Sequence, residues 1–169
     1  MLRSITMILI LAAATSAAAQ DVPAGPRAAI DVVGGYAGFL DESMIGHTVV
    51  GATVRYHLTR RISLGPEIVY MVGPGDDRDL FLTGNLIVDF LPPPAGARAG
   101  RVNPYAVVGG GMMRFSNRFG NQPFSTVEGA WTAGGGARVW LSDRTYAMGE
   151  YRVGWEPHHR LLGGVGVLW

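Results

Sequence analysis

Short segments in which side chains alternate between two characters recur along the chain, and this repeat constrains its fold most. Successive side chains of a strand point to opposite faces, so a period of two predicts a β-strand. In 160–169, Leu161, Gly163, Val165, Val167 and Trp169 alternate with Leu162, Gly164, Gly166 and Leu168. Eight such segments occur, at about 29–39, 48–58, 62–72, 80–91, 105–115, 126–141, 146–155 and 160–169. Roughly ten residues is the length of a tilted transmembrane strand, and bacterial outer-membrane barrels have even strand numbers.

The first residues have the pattern of a secretory signal peptide. Arg3 supplies one positive charge, residues 5–14 are apolar, and small residues around Ala17 and Ala19 suit signal peptidase. We therefore expect cleavage after Ala19. The predicted organisation is a signal peptide over 1–19, a short periplasmic leader over 20–27, and one barrel domain over 28–169.

Composition excludes several classes of protein. Hydrophobic residues make up 48% of the 169, but beyond the signal no apolar run reaches the 18 or so residues of a membrane helix. All 14 basic residues are arginine, and removal of Arg3 leaves 13 arginines with 13 acids. This neutrality argues against a nucleic-acid partner, which needs a basic face. The absence of cysteine excludes disulfides and thiolate zinc sites.

The two faces of the segments differ in polarity. One face is apolar, without charge, and has aromatic residues near the segment ends, among which we count Tyr105 and Phe115. A water-exposed face is usually about 25–35% charged, whereas the polar face here has one or two charges per strand and no lysine. We predict that this polar face forms an ion-pair network in a barrel lumen, from Asp31, Arg55, Glu67, Asp89, Arg114, Glu128, Arg138, Glu150 and Arg152.

These features favour an all-β, eight-stranded, antiparallel up-and-down transmembrane β-barrel, with the apolar face toward lipid. The aromatic residues then lie where interfacial girdles occur. A soluble periplasmic, lipocalin-like barrel that binds a small hydrophobic ligand is the alternative, and it would have the opposite faces.

The chain resembles the small outer-membrane β-barrel proteins of Gram-negative bacteria, with an OmpA/OmpX-like architecture. The resemblance covers about 28–169 and depends on the alternating strands and on the terminal residues 163–169. It implies outer-membrane localisation, contact with outer-membrane lipid, and a periplasmic N-terminus. It also implies that the C-terminal aromatic residue, Trp169 here and usually Phe in the family, is an assembly signal for the barrel-assembly machinery. Residues 40–47, 73–79, 116–125 and 156–159 would then form outward-facing loops.

We predict no catalytic residue, no cofactor and no metal site. The glycine runs lack a following helix, so a phosphate loop is excluded. We interpret the loop acids Asp76, Asp77 and Asp79 as solvated, with a weak Ca²⁺ site as the alternative. A lipid A-modifying enzyme remains a further alternative, although the nearest approach to a His-x-Ser motif is His57-Leu58-Thr59. We interpret the histidines as exposed loop residues: His47, His57, His158 and His159. A metal site at His158 and His159, with partners from other loops such as His47, is the alternative. The predicted function is a structural or surface-interaction role with a plugged lumen.

Overall fold

The computed structural model describes residues 28–40, 44–92, 99–119 and 122–169. The predicted signal peptide (1–19) and leader (20–27) lie outside these residues. In the described part of the chain, no helix is long and apolar enough to cross a membrane. The strands are β1 (Ala28–Leu40), β2 (Met44–His57), β3 (Ile62–Val72), β4 (Arg78–Asp89), β5 (Val102–Phe119), β6 (Gln122–Trp140), β7 (Thr145–Gly154) and β8 (His158–Leu168).

The eight strands form one closed antiparallel barrel. Each strand pairs with its neighbours in chain order, and β1 also pairs with β8 from Ala29 opposite Leu168 to Phe39 opposite His158. The predicted up-and-down barrel is therefore confirmed. We call the end that contains Ala28 the terminal end. The opposite end, where β1–β2, β3–β4, β5–β6 and β7–β8 are connected, is the distal end.

The barrel wall is apolar outside and polar inside. In β2, for example, 55% of Val50 is exposed on the outer surface, whereas only 2% of Arg55 is exposed. A lipocalin-like barrel would show the reverse, so that alternative is wrong. The other outward-facing apolar residues include Ile30, Val32, Leu64, Ile68, Leu82, Leu86, Val108, Trp131, Leu161 and Val165.

Glycine makes room for large side chains inside the narrow tube. Gly166 on β8 faces Tyr146 on β7 in the strand register. A Cβ atom at this position would overlap both the Tyr146 ring and the carboxylate of Asp31. An eight-stranded barrel has an interior just wide enough for side chains to fill, so bulky residues require small ones opposite them.

The β5–β6 connection differs from the prediction. Residues 116–119 and 122–125 lie in strands and not in a loop, because β5 continues to Phe119 and β6 begins at Gln122. The two strands stay in register up to the pair Phe119 and Gln122. The polar sequence of this stretch indicated a loop, but backbone pairing does not require an apolar face where a hairpin extends beyond its neighbours.

Candidate functional site

The lumen contains a first cluster of ionic groups near the terminal end. Arg55 Nε donates a hydrogen bond to Asp31 Oδ2 at 2.6 Å. The hydroxyl group of Tyr146 bonds to both side chains. Because these residues come from β2, β1 and β7, the cluster connects both sides of the β1–β8 seam.

A second pair lies on the opposite wall. Arg138 on β6 forms a buried ion pair with Asp89 on β4. Its guanidinium carbon lies 3.9 Å from the centroid of the Tyr105 ring, in a cation–π contact. Asn103 Nδ2 donates to Asp89 Oδ1 at 3.3 Å. Asp89 is therefore held by one charged and one neutral donor.

The third cluster crosses the middle of the lumen. Arg152 donates from Nη2 to Glu67 Oε2 at 2.7 Å and from Nε to Glu150 Oε1 at 2.6 Å. Arg160 Nη2 donates to the other oxygen of Glu67 at 2.8 Å. Tyr105 donates its hydroxyl proton to Glu150 Oε2 at 2.9 Å. These bonds join β3, β5, β7 and β8 through the interior.

The three clusters balance in charge and fill the lumen. Four arginines (55, 138, 152 and 160) face four acids (31, 67, 89 and 150), and all eight are at most 4% exposed. The cavity among these side chains measures about 10 Å³, which is room for at most one water molecule. Buried charges need partners, and this arrangement supplies one or more for each.

Seven of the nine residues predicted for the lumen network lie in these clusters. The placement of Arg114 and Glu128 there is wrong. Arg114 is exposed and donates to Ser125 Oγ at 3.1 Å. Glu128 is exposed at the distal end and accepts a bond from Trp155 Nε1 at 3.3 Å. Glu128 has the inward parity of β6, but it lies beyond the buried part of the strand.

The error at Arg114 is a one-residue error of phase along β5. Tyr105 and Phe115 were predicted in the outer aromatic girdle, but Tyr105 is 2% exposed in the lumen and Phe115 packs against the interior. A slip of one residue moves every side chain to the opposite face. The run 107–113 is apolar or glycine on both faces, so its pattern does not indicate which side chains point into the lumen.

Sequence reasoning also missed a fourth lumen arginine. Arg160 begins the alternation of β8 with the parity of Leu162 and Leu168, both of which are buried. That parity was the signal that could have identified it. In the register Arg160 also lies opposite Arg152, so the two arginines share one acid, Glu67.

Apolar side chains and a separate polar group occupy the distal part of the interior. Above the ionic clusters, Phe39, Val49, Met71 and Phe81 belong to one buried apolar layer. His47, Asp77 and Asp79 form the polar group at this end, and their ligand atoms all lie within 4.8 Å of one another. The prediction that these three side chains are solvated is wrong, as is the same prediction for His158, which is 1% exposed.

Comparison with known proteins identifies the family. Over residues 5–157 the chain matches the sequence family described as outer membrane protein beta-barrel domain. The chain belongs to this family. The protein is therefore an integral β-barrel of the bacterial outer membrane, and its apolar rows form the outer surface of the wall. No protein with a curated description matches the sequence.

Several solved structures of outer-membrane proteins have the same fold as this chain. The N-terminal β-barrel domain of Pseudomonas aeruginosa OprF is 15% identical, with a TM-score of 0.68 over 86% of this chain and 99% of that one. Neisserial surface protein A (NspA) is 12% identical, with a TM-score of 0.69 over 88% and 100%. Ail, the attachment invasion locus protein of Yersinia pestis, is 11% identical, with a TM-score of 0.55 over 85% and 99%. At these identities the likeness concerns the fold.

Proposed function

We propose that this protein is a non-catalytic outer-membrane barrel with a structural and surface-interaction role, whose lumen is plugged. The observation that carries the proposal is the lumen itself, in which four arginine and four carboxylate side chains are buried around a cavity of about 10 Å³. Such an interior does not pass solutes, so function falls to the outer wall and to the distal connections.

We test the plug by electrical recording. Protein purified from outer membranes in detergent is added to planar lipid bilayers, with a general porin as the positive control in the same bilayers. We expect no conductance steps from the barrel at protein concentrations at which the porin inserts readily. Stable ohmic steps would contradict the proposed plug.

The distal end faces the outside of the cell in this proposal. Outer-membrane barrels have short periplasmic turns and longer extracellular extensions. The longest hairpin, β5–β6, extends from the distal end beyond the pairing with its neighbouring strands. The family resemblance, which implies a periplasmic N-terminus, supports the same orientation.

The chain has no cysteine, so single cysteines can report the orientation. Phe124→Cys lies near the tip of β5–β6, and Arg60→Cys lies in the turn between β2 and β3. Both positions are exposed. We expect a polymer-linked maleimide to label Phe124→Cys on intact cells and Arg60→Cys only after the outer membrane is permeabilised. The reverse result would invert the orientation.

The surface-interaction element in this proposal is the projecting part of the β5–β6 hairpin, residues 117–119 and 122–130, which we call the ribbon. The pairing of β4 with β5 ends at Ser116, and that of β6 with β7 begins at Thr132. The ribbon thus extends beyond both neighbours, with 47% of Phe124 and 60% of Val127 exposed. Exposed apolar side chains on a projecting hairpin suit contact with another protein or surface. The names of NspA, Neisserial surface protein A, and of Ail, the attachment invasion locus protein, are consistent with such a role.

We also propose that β8, with Trp169, is the segment that the barrel-assembly machinery binds during biogenesis. Trp169 exchanges backbone hydrogen bonds with Ala28, and half of its side chain is exposed on the outer surface. Deletion of Trp169 should reduce the amount of barrel inserted in cells more than it reduces the stability of barrel refolded in detergent. Trp169→Phe should insert normally, and equal insertion of the deletion variant would refute the assembly role.

The domain boundaries remain proposals as well. Export through a cleaved signal over 1–19 predicts a mature chain that begins at Gln20, followed by a leader to residue 27. N-terminal sequencing of protein from outer membranes tests this boundary directly.

A further inference from the structure

A buried group of one imidazole and two carboxylates at the distal end has no part in the lumen plug. His47 Nε2 lies 3.0 Å from Asp77 Oδ2 and 3.5 Å from Asp79 Oδ2. The three residues are 2%, 7% and 1% exposed. We propose that they form a binding site for a first-row divalent cation of the Zn²⁺ class.

The charge of the group favours a cation. The lumen clusters balance four carboxylates with four arginines, but among the described residues no arginine forms an ion pair with Asp77 or Asp79. Arg78, adjacent to both, donates instead to the carbonyl oxygens of Gly73 at 3.3 Å and Asp77 at 2.6 Å. The burial of two carboxylates that have no arginine partner is energetically costly, and a divalent ion would neutralise both charges.

Unsatisfied atoms show that an imidazolium–carboxylate pair alone does not complete the group. His47 Nδ1, Asp77 Oδ1 and Asp79 Oδ1 are buried without a hydrogen-bond partner in the described structure. Buried polar atoms are normally paired, so the hydrogen bonds of the protein do not satisfy these three side chains, whose other polar atoms, His47 Nε2, Asp77 Oδ2 and Asp79 Oδ2, approach one another. A metal ion takes one donor atom from each side chain and removes the need for a protein donor between them.

The distances suit a tetrahedral ion. Zn–N and Zn–O bonds of about 2.0–2.2 Å place neighbouring ligand atoms roughly 3.4 Å apart in a tetrahedron. The two separations from His47 Nε2, 3.0 and 3.5 Å, lie on either side of that value. The three ligand atoms all lie within 4.8 Å of one another.

The space and the donor atoms select the class of ion. A Cβ atom at Gly73 would lie 2.8 Å from Asp77 Oδ2 and nearer still to His47 Nε2, so glycine leaves the centre of the group open. Calcium requires six to eight oxygen ligands, more than two carboxylates supply. Imidazole suits zinc, nickel, copper and iron, and three protein ligands leave a fourth position for water.

Metal binding would join the β3–β4 turn and the start of β4 to the start of β2. His47 lies near the start of β2, just after the β1–β2 connection, whereas Asp77 lies in the β3–β4 turn and Asp79 begins the buried face of β4. The site lies at the distal end beside the ring of Phe39, which packs edge-on against His47 at 4.8 Å. A bound ion would therefore fix the β3–β4 turn against the rim of the barrel.

The test uses the full-length protein extracted from outer membranes and stripped of metal with a chelator. Isothermal titration with Zn²⁺ should show one site per barrel, with much weaker binding of Ca²⁺ and Mg²⁺. His47→Asn and Asp79→Asn should each reduce the affinity for Zn²⁺ by more than about tenfold, since even outer partners of metal ligands cost 10–100-fold. Asp76→Asn, which removes the same charge from an exposed neighbour in the same turn, should bind normally.

Absence of Zn²⁺ binding by the wild-type protein, or equal binding by the ligand variants and by Asp76→Asn, would overturn the proposal. Co²⁺ provides a second measurement if a variant fails to assemble. With wild-type protein it should give visible absorption bands of a four- or five-coordinate site that Zn²⁺ abolishes. A spectrum identical to that of Co²⁺ in buffer would also overturn the site. Neither result would affect the plugged lumen or the orientation.

Discussion

At the scale of single residues, two neighbours in β3 show how strictly the wall separates its faces. Glu67 points inward and accepts hydrogen bonds from Arg152, Arg160 and Asn85. Ile68, the next residue, points outward with 48% of its surface exposed. The same strand therefore presents the carboxylate of Glu67 to the lumen and the aliphatic side chain of Ile68 to the outer surface.

Substitution of Glu67 tests the ionic plug. Glu67→Gln removes the charge shared by two buried arginines, and loss of one partner from a buried ion pair costs about 3–5 kcal/mol. We expect a decrease of that size in the free energy of unfolding, measured by urea denaturation of barrel refolded in detergent or vesicles. Glu128→Gln, at an exposed acid, should change it by less than about 0.5 kcal/mol. Equal effects of the two would mean that Glu67 does not hold the plug.

Substitution of Ile68 tests the lipid-facing side. Arginine on the lipid face near the bilayer midplane costs about 2–4 kcal/mol, and the cost falls to about 0–1 kcal/mol near the interface. We expect Ile68→Arg to decrease the free energy of unfolding, measured in vesicles, by about 2–4 kcal/mol. Val127→Arg, on the ribbon, should be nearly neutral in the same vesicle titration. A larger loss for Val127→Arg would place the ribbon rather than β3 in the bilayer.

At the scale of elements, the β5–β6 hairpin serves two purposes. Its lower part belongs to the closed wall, where β5 pairs with β4 and β6 pairs with β7. In its upper part, the ribbon, β5 lacks β4 beyond Ser116 and β6 lacks β7 before Thr132. Because backbone pairing in the wall does not depend on the ribbon, the two parts should be separable.

Shortening the hairpin tests this separation. Residues 117–124 are replaced by Asn-Gly, a dipeptide that forms a tight two-residue turn between paired strands. We expect this variant to insert into the outer membrane at the wild-type level and to unfold at the same urea concentration. The shortening leaves the pairing of Gly84 with Gly110 intact, because that pair lies within the wall. Failure of the shortened barrel to insert would show that the ribbon is required for folding.

At the scale of the whole molecule, closure of the sheet has a measurable consequence. A closed barrel leaves no unpaired strand edge in the bilayer, so every backbone group within the wall is paired. The balanced lumen adds cross-links between strands that are distant in sequence, such as Arg55 with Tyr146. We expect the barrel to stay folded in cold SDS.

Gel mobility measures this closure. Unboiled protein should migrate at a different position in SDS gels from boiled protein, because the compact barrel binds less detergent than the unfolded chain. A chain truncated before β8 (158–168), which cannot close the β1–β8 seam, should migrate identically in both conditions. Identical mobility of the wild-type protein before and after boiling would contradict a closed barrel.

Much of the site followed from alternation, but only where alternation was unambiguous. In β2, β3 and β7 a charged residue follows a small or polar residue by two positions and directly precedes a large apolar one, which predicts Arg55, Glu67 and Arg152 on the inner face. In β5 the glycine run and the surrounding valines and methionines gave no phase, and the prediction inverted Tyr105 and Arg114. Glu128 was given the correct face but the wrong height along the barrel, which periodicity does not encode.

The sequence by itself determined the number of strands and the division of the wall into an apolar and an ionic face. Where a strand contains charged residues, it also determined which side chains lie on which face, because these features depend on local period and composition. Only the tertiary structure decided which arginine meets which acid, since partners such as Arg160 and Glu67 are brought together by the register and closure of the barrel. It also decided the burial of His47, Asp77 and Asp79. Residues from separate hairpins become neighbours there because the curved wall brings the distal ends of β2 and β4 to the same rim.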